Sequence, residues 1–155
     1  MNKTRKYLWS MRQIVFCCEG VFPSFFDALV FQLRHAGMEL REEGTASVFA
    51  AIGFGSGAFR ALSSNAAVVI LIAPCADEKT RVLMQQWDKQ VLFVHGTHDA
   101  VCPPSHSEAL SFHARAPKKI VWVQDADHSF SAPYAQYQLL HHIIHFLQEP
   151  MCFRM

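Results

Sequence analysis

The stretch SVFAAIGFGSGAFRAL, residues 47–62, joins a continuous apolar run to a glycine-rich turn and a second apolar segment. Continuous runs of this kind are typical of strands that are covered on both faces of a sheet. Gly53 lies near the end of the run, and Gly55 and Gly57 follow it. One serine, Ser56, lies between the last two glycines. The stretch predicts a strand, a sharp turn and the start of a helix, with Ser56 as a candidate nucleophile on the turn.

Apolar runs and amphipathic segments alternate along the rest of the chain. Helical periodicity is found in residues 23–37, 103–116 and 133–148. This alternation predicts an α/β fold: a three-layer structure with a mostly parallel sheet of about five to six strands and helices on both faces. Besides the run at 47–54, strands are predicted for QIVFCC (13–18), AAVVILIA (66–73), QVLFVHG (90–96) and KIVWVQ (119–124).

The segment MELREEGTA, residues 38–46, does not fit this alternation. It is shorter than the crossover of about a dozen residues that a pair of parallel strands requires. The segment is therefore either an extra helical turn or a short antiparallel edge strand, and we favour the strand.

Length and charge limit the classes of protein that this chain can represent. Its 155 residues predict a single domain, residues 1–155, with room for one core. The formal net charge is +1, and the basic residues do not cluster beyond the KTRK of residues 3–6. We therefore expect no nucleic-acid-binding surface.

Hydropathy and cysteine content bear on location. We expect no membrane span, because no apolar run approaches about eighteen residues. Polar residues at Ser10, Arg12 and Gln13 interrupt the apolar run behind the basic N-terminus, which is not typical of a secretory signal. Five cysteines without a C-x-x-C pair favour a reducing cytoplasm over a disulfide framework.

Polar loops follow two of the predicted strands in the second half of the chain. In VLFVHGTHDAVCPPSHSEAL, residues 91–110, a strand leads to His-Gly-Thr, an aspartate and a predicted helix. In KIVWVQDADHSF, residues 119–130, the last strand leads to a histidine. With the elbow at residues 51–58, this order resembles the α/β-hydrolase superfamily, whose serine members carry a G-x-S-x-G nucleophile elbow followed by an acid and a histidine. The resemblance implies that Asp99 is the acid and His128 the base.

The first half of the chain resembles this superfamily less closely. Cys18 and Glu19 stand where a His-Gly pair usually begins the oxyanion loop. Because backbone N–H groups build an oxyanion hole, Val21 or Phe22 is still able to donate one. Compared with the family, the chain also lacks the first two strands, a full helix before the elbow and a lid insertion.

The elbow itself fits the family pattern in two registers. With Gly53 and Gly57 as the small flanking residues, Gly55 occupies the nucleophile position. A shift by one residue makes Ser56 the nucleophile but puts Phe54 at a flank that must be small. A nucleophile elbow holds a strained backbone conformation that costs on the order of 1–3 kcal/mol and that glycine adopts readily, which favours the first register.

Other polar residues carry weaker hypotheses. Cys75 and Cys102 lie in loops that follow strands, yet packed thiols are commoner than catalytic ones. Asp125 and Asp127 look like turn residues. The i, i+4 pair of histidines at 141 and 145 has no evident third ligand, so we expect solvent-facing side chains and no metal.

The first functional hypothesis is a small serine hydrolase that acts on an ester or thioester. Ser56 attacks the carbonyl carbon, His128 takes and returns the proton, and Asp99 orients the imidazole. Backbone N–H groups of Val21 and Gly57 hold the oxyanion.

The second hypothesis is a non-catalytic binding or interaction module in which Gly55 replaces the nucleophile. The family resemblance implies no cofactor for either hypothesis. A sheet that begins near Arg12 exposes an edge unless the segment around Trp9 covers it or a second copy pairs with it. We expect a homodimer.

Overall fold

A six-stranded, wholly parallel sheet forms the centre of the computed structural model, which describes residues 12–44, 48–115 and 117–149. The spatial order of its strands is β2-β1-β3-β4-β5-β6, and each neighbouring pair is parallel. This confirms the predicted α/β class and strand number. The strands are β1 (Gln13–Cys17), β2 (Glu39–Arg41), β3 (Ala50–Phe54), β4 (Val68–Ile72), β5 (Gln90–Gly96) and β6 (Lys118–Val123).

Helices cover both faces of this sheet, as predicted. One apolar cluster joins α1 and α5 to side chains such as Ile14 and Ile70, and the other joins α2, α3 and α4 to Val15 and Val69. Successive strand residues enter opposite clusters because side chains alternate across a strand. The helices are α1 (Phe26–His35), α2 (Ala58–Leu62), α3 (Glu78–Gln86), α4 (Ser105–His113) and α5 (Pro133–Gln148), and a 3-10 turn, Gly55–Gly57, precedes α2. No helix in the described ranges has both the length and the apolar character that crossing a bilayer requires.

The short strand β2 corrects one prediction. The segment at residues 38–46 does contain an edge strand, but β2 runs parallel to β1, with Gln13 opposite Glu39. A crossover is required only between parallel strands that lie side by side. Strands β2 and β3 are not neighbours, because β1 lies between them. Helix α1 supplies the crossover from β1 to β2. The N-terminal segment around Trp9, one of the two alternatives for covering an exposed edge, lies outside the described residues.

Close backbone approach brings the ends of β5 and β6 together. A Cβ atom added at Gly96 lies only 2.3 Å from the carbonyl oxygen of Ala126, so glycine alone fits at the end of β5. The N–H groups of Thr97 and His98 donate to the carbonyl oxygens of Val123 and Ala126 at 3.1 and 3.0 Å. The loops after β5 and β6 are therefore held against each other.

Replacing Gly96 by alanine tests this contact. We expect Gly96→Ala to lower the free energy of unfolding by about 2–3 kcal/mol, because the added methyl meets backbone that has no free space to move into. Gly20→Ala is the control, because a Cβ at position 20 meets no atom within 4 Å. Alanine at the φ of +79° found there should lower the free energy of unfolding by only about 1 kcal/mol. Urea unfolding measures both variants, and equal losses would contradict the packing argument.

Candidate active site

An aspartate–histidine pair lies where these two loops meet. Asp99 follows β5, His128 follows β6, and the His128 Nδ1 to Asp99 Oδ2 distance is 2.8 Å. An ionised carboxylate only accepts hydrogen bonds, so Nδ1 carries the proton. In the neutral ring, Nε2 is then an acceptor. The structure thus brings together two of the residues assigned to catalysis by the family resemblance.

The carboxylate of Asp99 is buried, and both of its oxygens accept hydrogen bonds. Oδ1 accepts from the N–H groups of Val101 and Cys102, each at 2.9 Å. Oδ2 faces His128 and also His95 Nε2, at 3.2 Å. Because Oδ1 accepts two backbone hydrogen bonds and Oδ2 lies between two imidazole rings, the carboxylate has a fixed position and holds the His128 ring in turn.

His95 is a member of this network that the sequence analysis did not identify. Its side chain is fully buried, and burial lowers its pKa, so the ring is neutral. Nε2 lies 2.7 Å from the Cys102 carbonyl oxygen, which requires a proton on Nε2. Nδ1 then accepts from the Ser107 hydroxyl at 2.7 Å. In the sequence, the feature that could have indicated this role is a histidine at the end of a buried strand, four residues before Asp99.

The turn between β3 and α2 places Gly55 opposite His128. Gly55 has a φ of +55°, in the left-handed region that favours glycine. A Cβ built on Gly55 lies 3.4 Å from His128 Nε2 and 3.6 Å from Cε1. The His128 ring also packs against Phe54, with ring centroids 5.0 Å apart. A side chain at position 55 would therefore extend toward the accepting nitrogen of the histidine.

Ser56 contacts a different partner. Its hydroxyl donates to Glu19 Oε2 at 3.1 Å, on the side of the site formed by the loop after β1. Arg60 of α2 supports this loop, since its guanidinium donates to the carbonyl oxygen of Cys18 and pairs with Glu43 at 3.1 Å. The catalytic assignment of Ser56 stays a prediction, and in this structure its hydroxyl is bonded to a carboxylate.

The two residues predicted to supply oxyanion N–H groups occupy very different surroundings. Val21 lies in the loop after β1 with 91% of its surface exposed. Gly57 is buried at the end of the 3-10 turn, where an added Cβ lies 2.4 Å from the Cys17 carbonyl oxygen. The oxyanion role of both also stays a prediction.

The remaining sequence candidates lie in supporting positions. Asp127 accepts hydrogen bonds from the backbone and hydroxyl of Ser131, which lower its pKa and close the turn after His128. Asp125 pairs with His98 at 3.3 Å. In α5, the histidines at 141 and 145 are exposed, and no group of three metal-ligating side chains is found in the described ranges.

The cysteines differ from the sequence expectation of free thiols. Cys75 and Cys102 form a disulfide with a Cα–Cα distance of 5.2 Å. They are 27 residues apart in sequence, but β4 and β5 are neighbours and end at the same edge of the sheet. At the end of β1, burial raises the pKa of Cys17 to about 12 and that of Cys18 above its usual value. Neither of these thiols is suited to replace a serine nucleophile.

Backbone contacts connect the disulfide to the site. The Cys75 N–H donates to the Gly55 carbonyl oxygen at 3.3 Å, and the Cys102 N–H donates to Asp99. The disulfide thus joins the loop beside the elbow to the loop that carries the acid.

Two cavities lie beside β1 and β2. Their volumes are about 430 and 550 Å³, and Glu43 lines both. Neither is lined by Asp99 or His128, and neither contains a base oriented by an acid.

The chain resembles known proteins in sequence and in fold. The model of the prolyl oligopeptidase family matches residues 72–152, slightly more than half of the chain, and this segment contains Asp99 and His128. No curated protein sequence matches the chain significantly.

Solved structures share the fold at low sequence identity. A monoacylglycerol lipase of Paleococcus ferrophilus is 12% identical, with a TM-score of 0.74 over 87% of this chain and 93% of that chain. A dienelactone hydrolase of Anabaena variabilis is 11% identical, with a TM-score of 0.73 over 88% and 85%. The esterase domain of a Rhodothermus marinus protein is 12% identical, with a TM-score of 0.70 over 87% and 85%.

Reduction of the Cys75–Cys102 disulfide tests its contribution to stability. We expect reductant to lower the free energy of unfolding by about 3 kcal/mol, because the open chain gains conformational entropy when unfolded. The double variant Cys75→Ser, Cys102→Ser controls for other effects of the reductant and should not respond to it. Thermal unfolding with and without reductant measures the change, and an equal response of both proteins would contradict the prediction.

Proposed function

Because this chain belongs to the prolyl oligopeptidase family and has the α/β-hydrolase fold, we propose that it is a hydrolase-like protein that no longer uses a serine nucleophile. In this proposal Gly55 occupies the nucleophile position, and Asp99 and His128 form the remaining acid and base. The site binds small ligands and forms no acyl-enzyme intermediate.

The direction in which a side chain at position 55 would point is the observation that carries the proposal. A catalytic serine must lie within hydrogen-bond reach of the base. At position 55 an added Cβ is 3.4 Å from His128 Nε2, and the backbone already has the positive φ that a strained elbow requires. Glycine maintains this turn with little strain but supplies no reacting atom.

Glu19 is a second feature that would slow acyl transfer at this site. In the Gly55 register, Ser56 follows the nucleophile position, and the residue in that place normally offers its N–H to the oxyanion. The Glu19 carboxylate lies 3.1 Å from the Ser56 hydroxyl. A negative charge beside the developing oxyanion would raise the energy of the transition state.

The serine hydrolase hypothesis remains the competing proposal. It requires the Ser56 hydroxyl to leave Glu19 and to approach His128, with Val21 and Gly57 as oxyanion donors. Its substrate would be a small ester or thioester. An esterase domain and a lipase among the structural neighbours support small esters as the substrate class of this second proposal.

A fluorophosphonate probe, which reacts with activated serines, separates the two proposals. We expect no labelling of the wild type and stoichiometric labelling of Gly55→Ser, because the new hydroxyl faces His128. Hydrolysis of p-nitrophenyl acetate should rise about 10²-fold or more in Gly55→Ser and fall back in Gly55→Ser, His128→Gln.

Ser56→Ala provides the matched control. Wild-type labelling that disappears in Ser56→Ala would establish the serine hydrolase instead. A serine at a φ of +55° is strained, so circular dichroism must first show that Gly55→Ser is folded. A folded Gly55→Ser variant that resists the probe would also contradict the proposal.

The open edge of the sheet supports the homodimer as part of this proposal. No strand of the described ranges pairs with the outer side of β2. The Glu39 N–H donates to the Arg12 carbonyl oxygen at 3.0 Å, toward β1. Because the direction of the backbone N–H and C=O groups alternates along a strand, those of Leu40 point away from β1. Two copies paired antiparallel about Leu40 would place Glu39 of each opposite Arg41 of the other.

Charge reversal tests this pairing. We expect Arg41→Glu to weaken the dimer about tenfold, because like charges then face each other across the strands. The exchange Glu39→Arg, Arg41→Glu should restore the association. Light scattering over a concentration series measures the mass, and a wild type that is monomeric throughout would exclude the dimer.

A further inference from the structure

The side of His128 that faces Gly55 has room for one small group. Where a Cβ on Gly55 would lie, the neighbours within 4 Å are His128 Nε2 and Cε1, at 3.4 and 3.6 Å, apart from the residues next to Gly55 in sequence. The His128 side chain is 20% exposed, so part of the ring is open to solvent. Because residue 55 is glycine, the place that a serine side chain would fill beside His128 Nε2 is unoccupied by protein atoms.

Hydrogen-bond chemistry determines which group fits that position. Asp99 accepts the Nδ1 proton of His128, which leaves Nε2 of the neutral ring as an acceptor. The matching ligand group is a donor, and an ester carbonyl or a carboxylate has no proton to donate. The carboxylates of Asp99, which is bonded to His128, and of Glu19, which is bonded to Ser56, further disfavour an anion. A neutral hydroxyl group fits both constraints.

Aromatic side chains pack beside the His128 ring. The partly exposed ring of Phe54 lies 5.0 Å from the His128 ring, and the buried ring of Phe25 packs edge-on against Phe54 at 5.4 Å. Offset and edge-to-face contacts with such rings favour a flat aromatic ligand. A hydroxyl carried on an aromatic ring would contact His128 and Phe54 together.

We propose that this chain binds a neutral phenolic ligand whose hydroxyl donates to His128 Nε2, in the place that a serine hydroxyl would occupy. This inference rests on the proposed function, since a serine nucleophile facing His128 would exclude the ligand hydroxyl. A phenol is the alcohol half of an aryl ester, so the ligand corresponds to a product of the chemistry that the site has lost.

Phenol and anisole are the probes, because they share a ring and differ in the hydroxyl proton. We expect phenol to shift the NMR signal of the His128 ring saturably and to bind at least tenfold more tightly than anisole. Benzoate should not compete. Equal binding of phenol and anisole by the wild type would overturn the proposal, and this comparison requires no variant to fold.

Variants test the position of the ligand hydroxyl. Gly55→Ser and Gly55→Ala both fill the space beside Nε2, so each should weaken phenol binding at least tenfold. Ser63→Ala, which removes an exposed hydroxyl bonded to Phe59 at the end of α2, should bind as the wild type does. Undiminished binding by folded Gly55→Ala would overturn the inference.

The fluorophosphonate experiment separates failure of this inference from failure of the proposed function. A wild type that resists the probe and shows no preference for phenol over anisole would overturn only the phenolic ligand. A wild type that is labelled at Ser56 would overturn both.

Discussion

The contact between the acid loop and the histidine loop is the constraint on which the candidate site depends. Gly96 lets the backbone of β5 approach Ala126, and this approach places Asp99 beside His128. A buried carboxylate without donors would be strongly destabilising. His128 and two backbone N–H groups supply those donors. The pair therefore has a structural role, and its presence alone is no argument for catalysis.

The departures from a serine hydrolase lie in the first half of the chain. Cys18, Glu19 and Gly55 all precede residue 72, where the match to the prolyl oligopeptidase family begins. The matched segment contains the acid, the histidine and both cysteines of the disulfide. Packing around Asp99 constrains that segment strongly, whereas glycine at position 55 holds the positive φ of the turn with little strain.

Sequence reasoning predicted the features that depend on local pattern. Continuous apolar runs marked the long strands, and the last helix was predicted with its observed bounds, Pro133–Gln148. Helix α3 was missed because its mean hydropathy is low, although Asp77 caps it by accepting from the Thr80 N–H at 2.8 Å. The direction of β2, the Cys75–Cys102 pairing and the role of His95 depend on which elements become neighbours. No local pattern encodes that arrangement.

Two close contacts constrain the backbone of the elbow. An added Cβ at Gly53 lies 2.8 Å from the Ala58 Cα, and one at Gly57 lies 2.4 Å from the Cys17 carbonyl oxygen. A shift by one residue would put Phe54 and Ala58 into these two positions, where no side chain fits. Gly55 is thus held facing His128, while the Ser56 hydroxyl contacts Glu19. A serine one residue late in the sequence is directed to a different side of the site, because side-chain direction in a tight turn is fixed by the backbone.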